Sequence, residues 1–229
     1  MSDLKGKTLY GFGDSLVYGH YMGIGMLDYV AEKNQMVYTK YAVNGGTIIP
    51  AIASHLPDAI LVPDVAAQIE SASSTVPDFI CFDGLTNDAY DLVLNRFLGK
   101  ISASWNDEFD TGTFIGAFEH ICCRLRDKYQ DSQIFYICPH RMASRGERPQ
   151  EVLQYWARTI CQKWSIPYID IYRRGGINTC LPKMRSDYSY NLQGEDSGGN
   201  GTHLNAKGYE LWYAPVIEAE LKKYCRGNR

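Results

Sequence analysis

Thr8-Leu9-Tyr10-Gly11-Phe12, followed at once by Gly13-Asp14-Ser15-Leu16, is the stretch on which the reading of this chain turns. The first five residues have the β-branched and aromatic character of a strand. The turn after them delivers a serine. In α/β sheets ligands bind outside the carboxyl ends of the strands, so this serine stands where a substrate would lie. A serine hydroxyl is a poor nucleophile until a base takes its proton, and Gly201-Thr202-His203 supplies a candidate base near the other end. The pair predicts a serine-dependent hydrolase acting on an ester.

Outward from that stretch, strand-like and helix-like segments alternate, which predicts a parallel sheet covered on both faces. Residues 37–43 read as a second strand. Phe79-Ile80-Cys81-Phe82 and Ile134-Phe135-Tyr136-Ile137-Cys138 are continuous apolar runs of the kind buried on both sides. Pro167-Tyr168-Ile169-Asp170-Ile171 reads as a short last strand. Residues 22–33 read as a helix. Phe114, Phe118, Ile121 and Leu125 recur at helical steps, as do Val152, Leu153, Trp156, Ile160 and Trp164, with Pro149 in the first turn. A closing helix carries Tyr209, Trp212, Tyr213, Val216, Ile217 and Leu221, with Asn205 as its cap and Pro215 predicting a kink or break. Residues 91–113 and 172–201 show no clear period; each is a candidate lid or substrate pocket wall, with a solvated connection or an oligomer contact as the plain alternative.

The 229 residues, 1–229, read as one domain, without repeats or a low-complexity linker. A formal net charge of -3 and a pI near 6.0 leave no basic footprint, so no nucleic-acid partner is expected. No apolar stretch approaches the roughly 20 residues that span a bilayer, and the first seven residues lack the core of a signal peptide. Cysteines at 81, 122, 123, 138, 161, 180 and 225 include no Cys-x-x-Cys, and reduced thiols in a cytoplasmic protein are the expectation. Five histidines without a His-x-His or His-Glu-x-x-His pattern make a metal site at Asp14, Asn87, Asp88 and His203 the weaker alternative. Neither a cofactor nor a metal is expected. The expected partner is a small-molecule ester, with no membrane partner; homo-oligomerisation is left open.

Singly, each motif has a plain structural reading: Gly-Asp-Ser as a turn, Asn87-Asp88 as a helix cap, Asn44-Gly45-Gly46 as a tight turn. Their order is more specific. Gly13-Asp14-Ser15-Leu16, the glycine of Asn44-Gly45-Gly46-Thr47, Thr86-Asn87-Asp88 and Gly201-Thr202-His203 follow the block order of the GDSL or SGNH hydrolases, and the chain resembles that family from Gly13 to its last helix. The resemblance implies a three-layer α/β/α fold, flavodoxin-like, with a mainly five-stranded parallel sheet. It implies esterase, lipase or acylhydrolase activity. Ser15 would be the nucleophile and His203 the base. The N–H groups of Ser15 and Gly45 and the amide of Asn87 would form the oxyanion hole, where losing one donor typically costs ~2.7–4 kcal/mol.

The chain departs from the family twice. The glycine of the third block stands at Gly84, with Leu85 in its usual place. Asn200 stands three residues before the histidine, where the family has aspartate. Three arrangements are open there: Asn200 or a backbone carbonyl orients His203, Asp196 replaces the carboxylate, or the protein is a weak or inactive relative that binds without turnover. His20, Tyr21, Tyr90, His140 and Arg141 are the candidate substrate contacts. A short-chain or carbohydrate ester is expected over bulk triglyceride, since no long apolar surface helix is evident.

Overall fold

A computed structural model describes residues 3–50, 62–190 and 199–225. Strands β1 (Thr8–Phe12), β2 (Val37–Lys40), β3 (Phe79–Phe82), β4 (Gln133–Cys138) and β5 (Tyr168–Asp170) form one sheet in the order β2-β1-β3-β4-β5. Every neighbouring pair is parallel, with Leu9 opposite Tyr38 and Phe79, and Ile80 opposite Ile134. The strands change direction of growth at β1, so the carboxyl ends of β1 and its neighbours open a crevice there. The expected sheet is observed, with β2 and β5 shorter than their apolar runs.

Alternation along the strands sends side chains to two cores. Tyr10, Phe12, Ile80, Phe82, Ile134, Tyr136 and Cys138 face one side, under helices α3 (Val65–Ser71), α5 (Phe114–Lys128) and α6 (Glu147–Lys163). Leu9, Phe79, Cys81, Phe135, Ile137 and Ile169 face the other, under α2 (Met26–Asn34) and a last helix, Ala214–Lys223. This double burial is why β3 and β4 read as unbroken apolar runs. Among the described residues no helix is long and apolar enough to cross a membrane.

Two local readings change. The helix expected from residue 22 begins at Met26, because a 3₁₀ turn (His20–Met22) flanked by left-handed Gly19 and Gly23 precedes it. The stretch 91–113 contains a short helix, Asp91–Arg96, and 172–201 contains Pro182–Tyr188. The break expected at Pro215 falls where the helix changes type, at the start of the last segment, Ala214–Lys223. A π-helical turn, Tyr209–Tyr213, precedes it, and Pro215 falls in the first turn of Ala214–Lys223, where its missing N–H costs little.

Candidate active site

The site is built from the turn after β1 outward. Gly13 has φ +138°, and a Cβ there would lie 1.7 Å from Asp83 Oδ1, so both backbone and space require glycine. Gln68 on α3 grips this glycine twice. Its Oε1 accepts the Gly13 N–H at 2.8 Å, and its Nε2 donates to the Gly13 carbonyl at 2.9 Å. Asp14 then accepts the Leu16 N–H at 2.8 Å, which starts a single turn, Ser15–Tyr18, with the serine at its first position.

Asp14 is itself held by Asp83, which follows β3 and accepts the Asp14 N–H at 2.8 Å. Both carboxyl groups are fully buried. Burial, and then the neighbouring Asp14 charge, push Asp83 well above the usual carboxylate range, and burial raises Asp14 as well, so a protonated Asp83 can donate a hydrogen bond to Asp14. Folding therefore takes up a proton between the ordinary aspartate pKa and the raised one, and stability falls as pH rises through that interval. A carboxamide in place of the Asp83 carboxyl could donate the same hydrogen bond at any pH. Asp83→Asn is expected to raise Tm at pH 8 and to lose that advantage toward pH 4, as thermal unfolding at both pH values would show.

The second block is fixed from below by Asp88, whose carboxylate accepts the N–H groups of Ile48 at 2.9 Å and Ile49 at 3.1 Å. Gly45 has φ +81°, and among the described residues a Cβ there would meet Val62 at an ordinary 3.5 Å. Its left-handed backbone is a reason for glycine. Asn87 Nδ2 donates to the Gly46 carbonyl at 2.9 Å, leaving its second amide hydrogen free of that bond. Among the described residues no acceptor receives the N–H of Ser15 or of Gly45. Gly84, the displaced glycine of the third block, takes φ +128° against Ile48.

His203, buried, brings Nε2 to 2.8 Å from Ser15 Oγ across 188 positions of sequence. Asn200 lies on its other side, but its oxygen is not turned to the ring. That oxygen accepts the N–H of Thr202 at 2.8 Å and of His203 at 3.3 Å, so the amide nitrogen faces Nδ1, at 3.5 Å. The expectation that Asn200 accepts a proton from Nδ1 does not match this geometry. A donor opposite Nδ1 favours the tautomer protonated on Nε2. Burial, followed by His20, Arg145 and His140, lowers His203 to about 3, so the imidazole is neutral at ordinary pH. Asp196, the other carboxylate considered, lies outside the described residues.

The expected substrate contacts separate. Tyr21 is exposed and Tyr90 half-buried, with the Arg145 guanidinium 5.0 Å from the Tyr90 ring centre. His20 does not point into open space; its ring lies flat on that of His203. His140 is fully buried behind the site. Its Nε2 donates to the Gly201 carbonyl at 3.0 Å, and its Nδ1 lies 2.7 Å from the Tyr213 hydroxyl. It supports the histidine loop and has no surface left for a ligand. Arg141 pairs with Glu147 at 2.6 Å and stacks on Tyr172. Arg145 was not singled out from the sequence, yet its Nε donates to the Thr86 carbonyl at 2.7 Å, beside Asn87. Gln68 and Asp83 were missed for the same reason: their partners lie 55 and 69 positions away.

The sequence has no significant match among curated proteins. Among solved structures it is similar over nearly its whole length to several bacterial proteins. One from Lactobacillus plantarum is 17% identical, with a TM-score of 0.75, covering 96% of this chain and 98% of that one. A lipase/acylhydrolase from Enterococcus faecalis is 18% identical, with a TM-score of 0.58, covering 97% and 99%. An active site mutant of a family two carbohydrate esterase from Clostridium thermocellum is 14% identical, with a TM-score of 0.61, covering 95% of this chain and 64% of that one. At these identities the likeness speaks for the fold. The model of the GDSL-like Lipase/Acylhydrolase family matches residues 9–216, and the chain belongs to that family.

Proposed function

We propose that the protein is a carboxylic ester hydrolase that forms an acyl-enzyme on Ser15. The observation that carries this is the 2.8 Å approach of Ser15 Oγ to His203 Nε2, at the crevice beside β1. In the reaction, Oγ attacks the ester carbonyl carbon while its proton passes to Nε2, which must first carry its hydrogen on Nδ1. The carbonyl oxygen becomes an oxyanion, received by the N–H groups of Ser15 and Gly45 and by the free amide hydrogen of Asn87. The imidazolium protonates the departing alcohol, and water then releases the acyl group by the same steps.

Substrate size follows from the surroundings. Tyr21, Tyr90 and Arg145 offer aromatic faces and one cation beside the site, which suits a short acyl group on a polar or sugar alcohol. The likeness to a carbohydrate esterase points the same way. A second reading, a weak or inactive binding protein, draws support from the amide nitrogen of Asn200 facing Nδ1. A fluorophosphonate separates the two. The esterase reading expects one adduct per chain, located by peptide mass on Ser15; an unlabelled chain with its fold intact supports the binding protein.

A further inference from the structure

The His203 ring has few holds in its own plane. Nε2 meets Ser15, while among the described residues Nδ1 faces only an amide nitrogen at 3.5 Å. Its face is better covered. The His20 ring lies parallel to it, with centroids 3.7 Å apart and planes within 5°. His20 reaches this position at a cost in backbone freedom, because its φ is +48°, a region side chains rarely adopt. Its Nδ1 lies 3.0 Å from the Tyr190 hydroxyl, and the Tyr190 ring itself sits 5.9 Å from that of His203. The hydroxyl and Nδ1 share this hydrogen bond, and burial lowers the pKa of His20. His20 is thus a ring with its edge pinned and its face on the base.

We infer that His20 is a positioning residue: its stacked ring holds the His203 imidazole in line with Ser15, the task the family gives to an in-plane carboxylate. The inference rests on the esterase reading above. The strained turn between Gly19 and Gly23 is then part of the active site and not a mere connection.

The test is steady-state hydrolysis of p-nitrophenyl acetate by His20→Ala, His20→Phe and Tyr190→Phe, each checked for an unchanged Tm. His20→Ala is expected to lower kcat about tenfold or more with KM within about twofold. His20→Phe, which keeps the face, is expected to recover most of that loss. Tyr190→Phe keeps both rings and loses only the pin, so a smaller fall in kcat is expected, and it serves where His20→Ala does not fold.

The pH profile adds an independent reading. His20, Tyr190, Asn200, Ser15, His140 and Arg145 surround the base, and only His20 is removed. Exposing His203 and removing that neighbour raises its pKa. An acidic limb in kcat/KM is therefore expected to move up toward about 6.5 in His20→Ala. A change in KM alone would make His20 a substrate contact and overturn the inference. So would a His20→Phe no better than His20→Ala, or an unchanged kcat. If Ser15→Ala stays fully active, the esterase reading itself fails; if Ser15 is essential and His20→Ala is silent, only this inference does.

Discussion

Ser15→Ala is expected to lower kcat by on the order of 10³-fold or more, and by up to ~10⁶ on the scale of serine hydrolases. The expectation follows from what one atom does. Ser15 Oγ is the one nucleophile that the structure sets within hydrogen-bonding distance of His203 Nε2 among the described residues. Without it the acyl-enzyme cannot form, and only catalysis by the oxyanion donors and by binding remains. The fold should tolerate the change. The backbone of the turn is held by Gln68, Asp14 and Asp83, none of which bonds to the Ser15 hydroxyl. Losing one side-chain hydrogen bond costs about 1 kcal/mol, a shift of roughly 2–4 °C in Tm for a chain of this size. Kinetics with an activated ester, beside a melting curve, measure both. A folded variant that hydrolyses as fast as the parent would end the proposal.

Asn200→Asp works in the opposite direction and is expected to raise kcat/KM by about tenfold or more, with ~10⁴ as the upper scale set by serine proteases. One carboxylate oxygen can keep the N–H groups of Thr202 and His203, which the amide oxygen now accepts. The other then takes the place of the amide nitrogen, 3.5 Å from Nδ1. A carboxylate can only accept, so Nδ1 gains the hydrogen and the Nε2 lone pair turns to Ser15. The negative charge also raises His203 from about 3 toward the ordinary histidine value. Because the neutral imidazole is the working base, the acidic limb of kcat/KM shifts to higher pH while the plateau rises. A pH–rate profile of both proteins checks the two effects together. An unchanged plateau would mean that position 200 does not orient the base, and would leave that role to the stacked His20.

These expectations divide by what could be read from the chain alone. The runs at β1, β3 and β4 were plain in the sequence, because strands buried on both faces need apolar residues at every position. So was the order of the four blocks, since each lies on a short turn after a strand or before a helix. The boundary of α2 was misread because apolar Met22 and Ile24 continue its pattern, yet left-handed Gly19 and Gly23 turn them outward, where both are exposed. His140 looked like a ligand contact because it follows a strand at the right edge, but Tyr213 and Gly201 close over it.

By itself the sequence determined the parallel sheet, the family and which serine and histidine to watch, because periodicity and short motifs are local properties of a chain. Only the tertiary structure decided that Asn200 turns its oxygen to the backbone, that His20 lies on the base, and that Asp83 is buried against Asp14. Those depend on donors, ring faces and burial contributed by segments far apart in sequence, and such contacts leave no periodic trace.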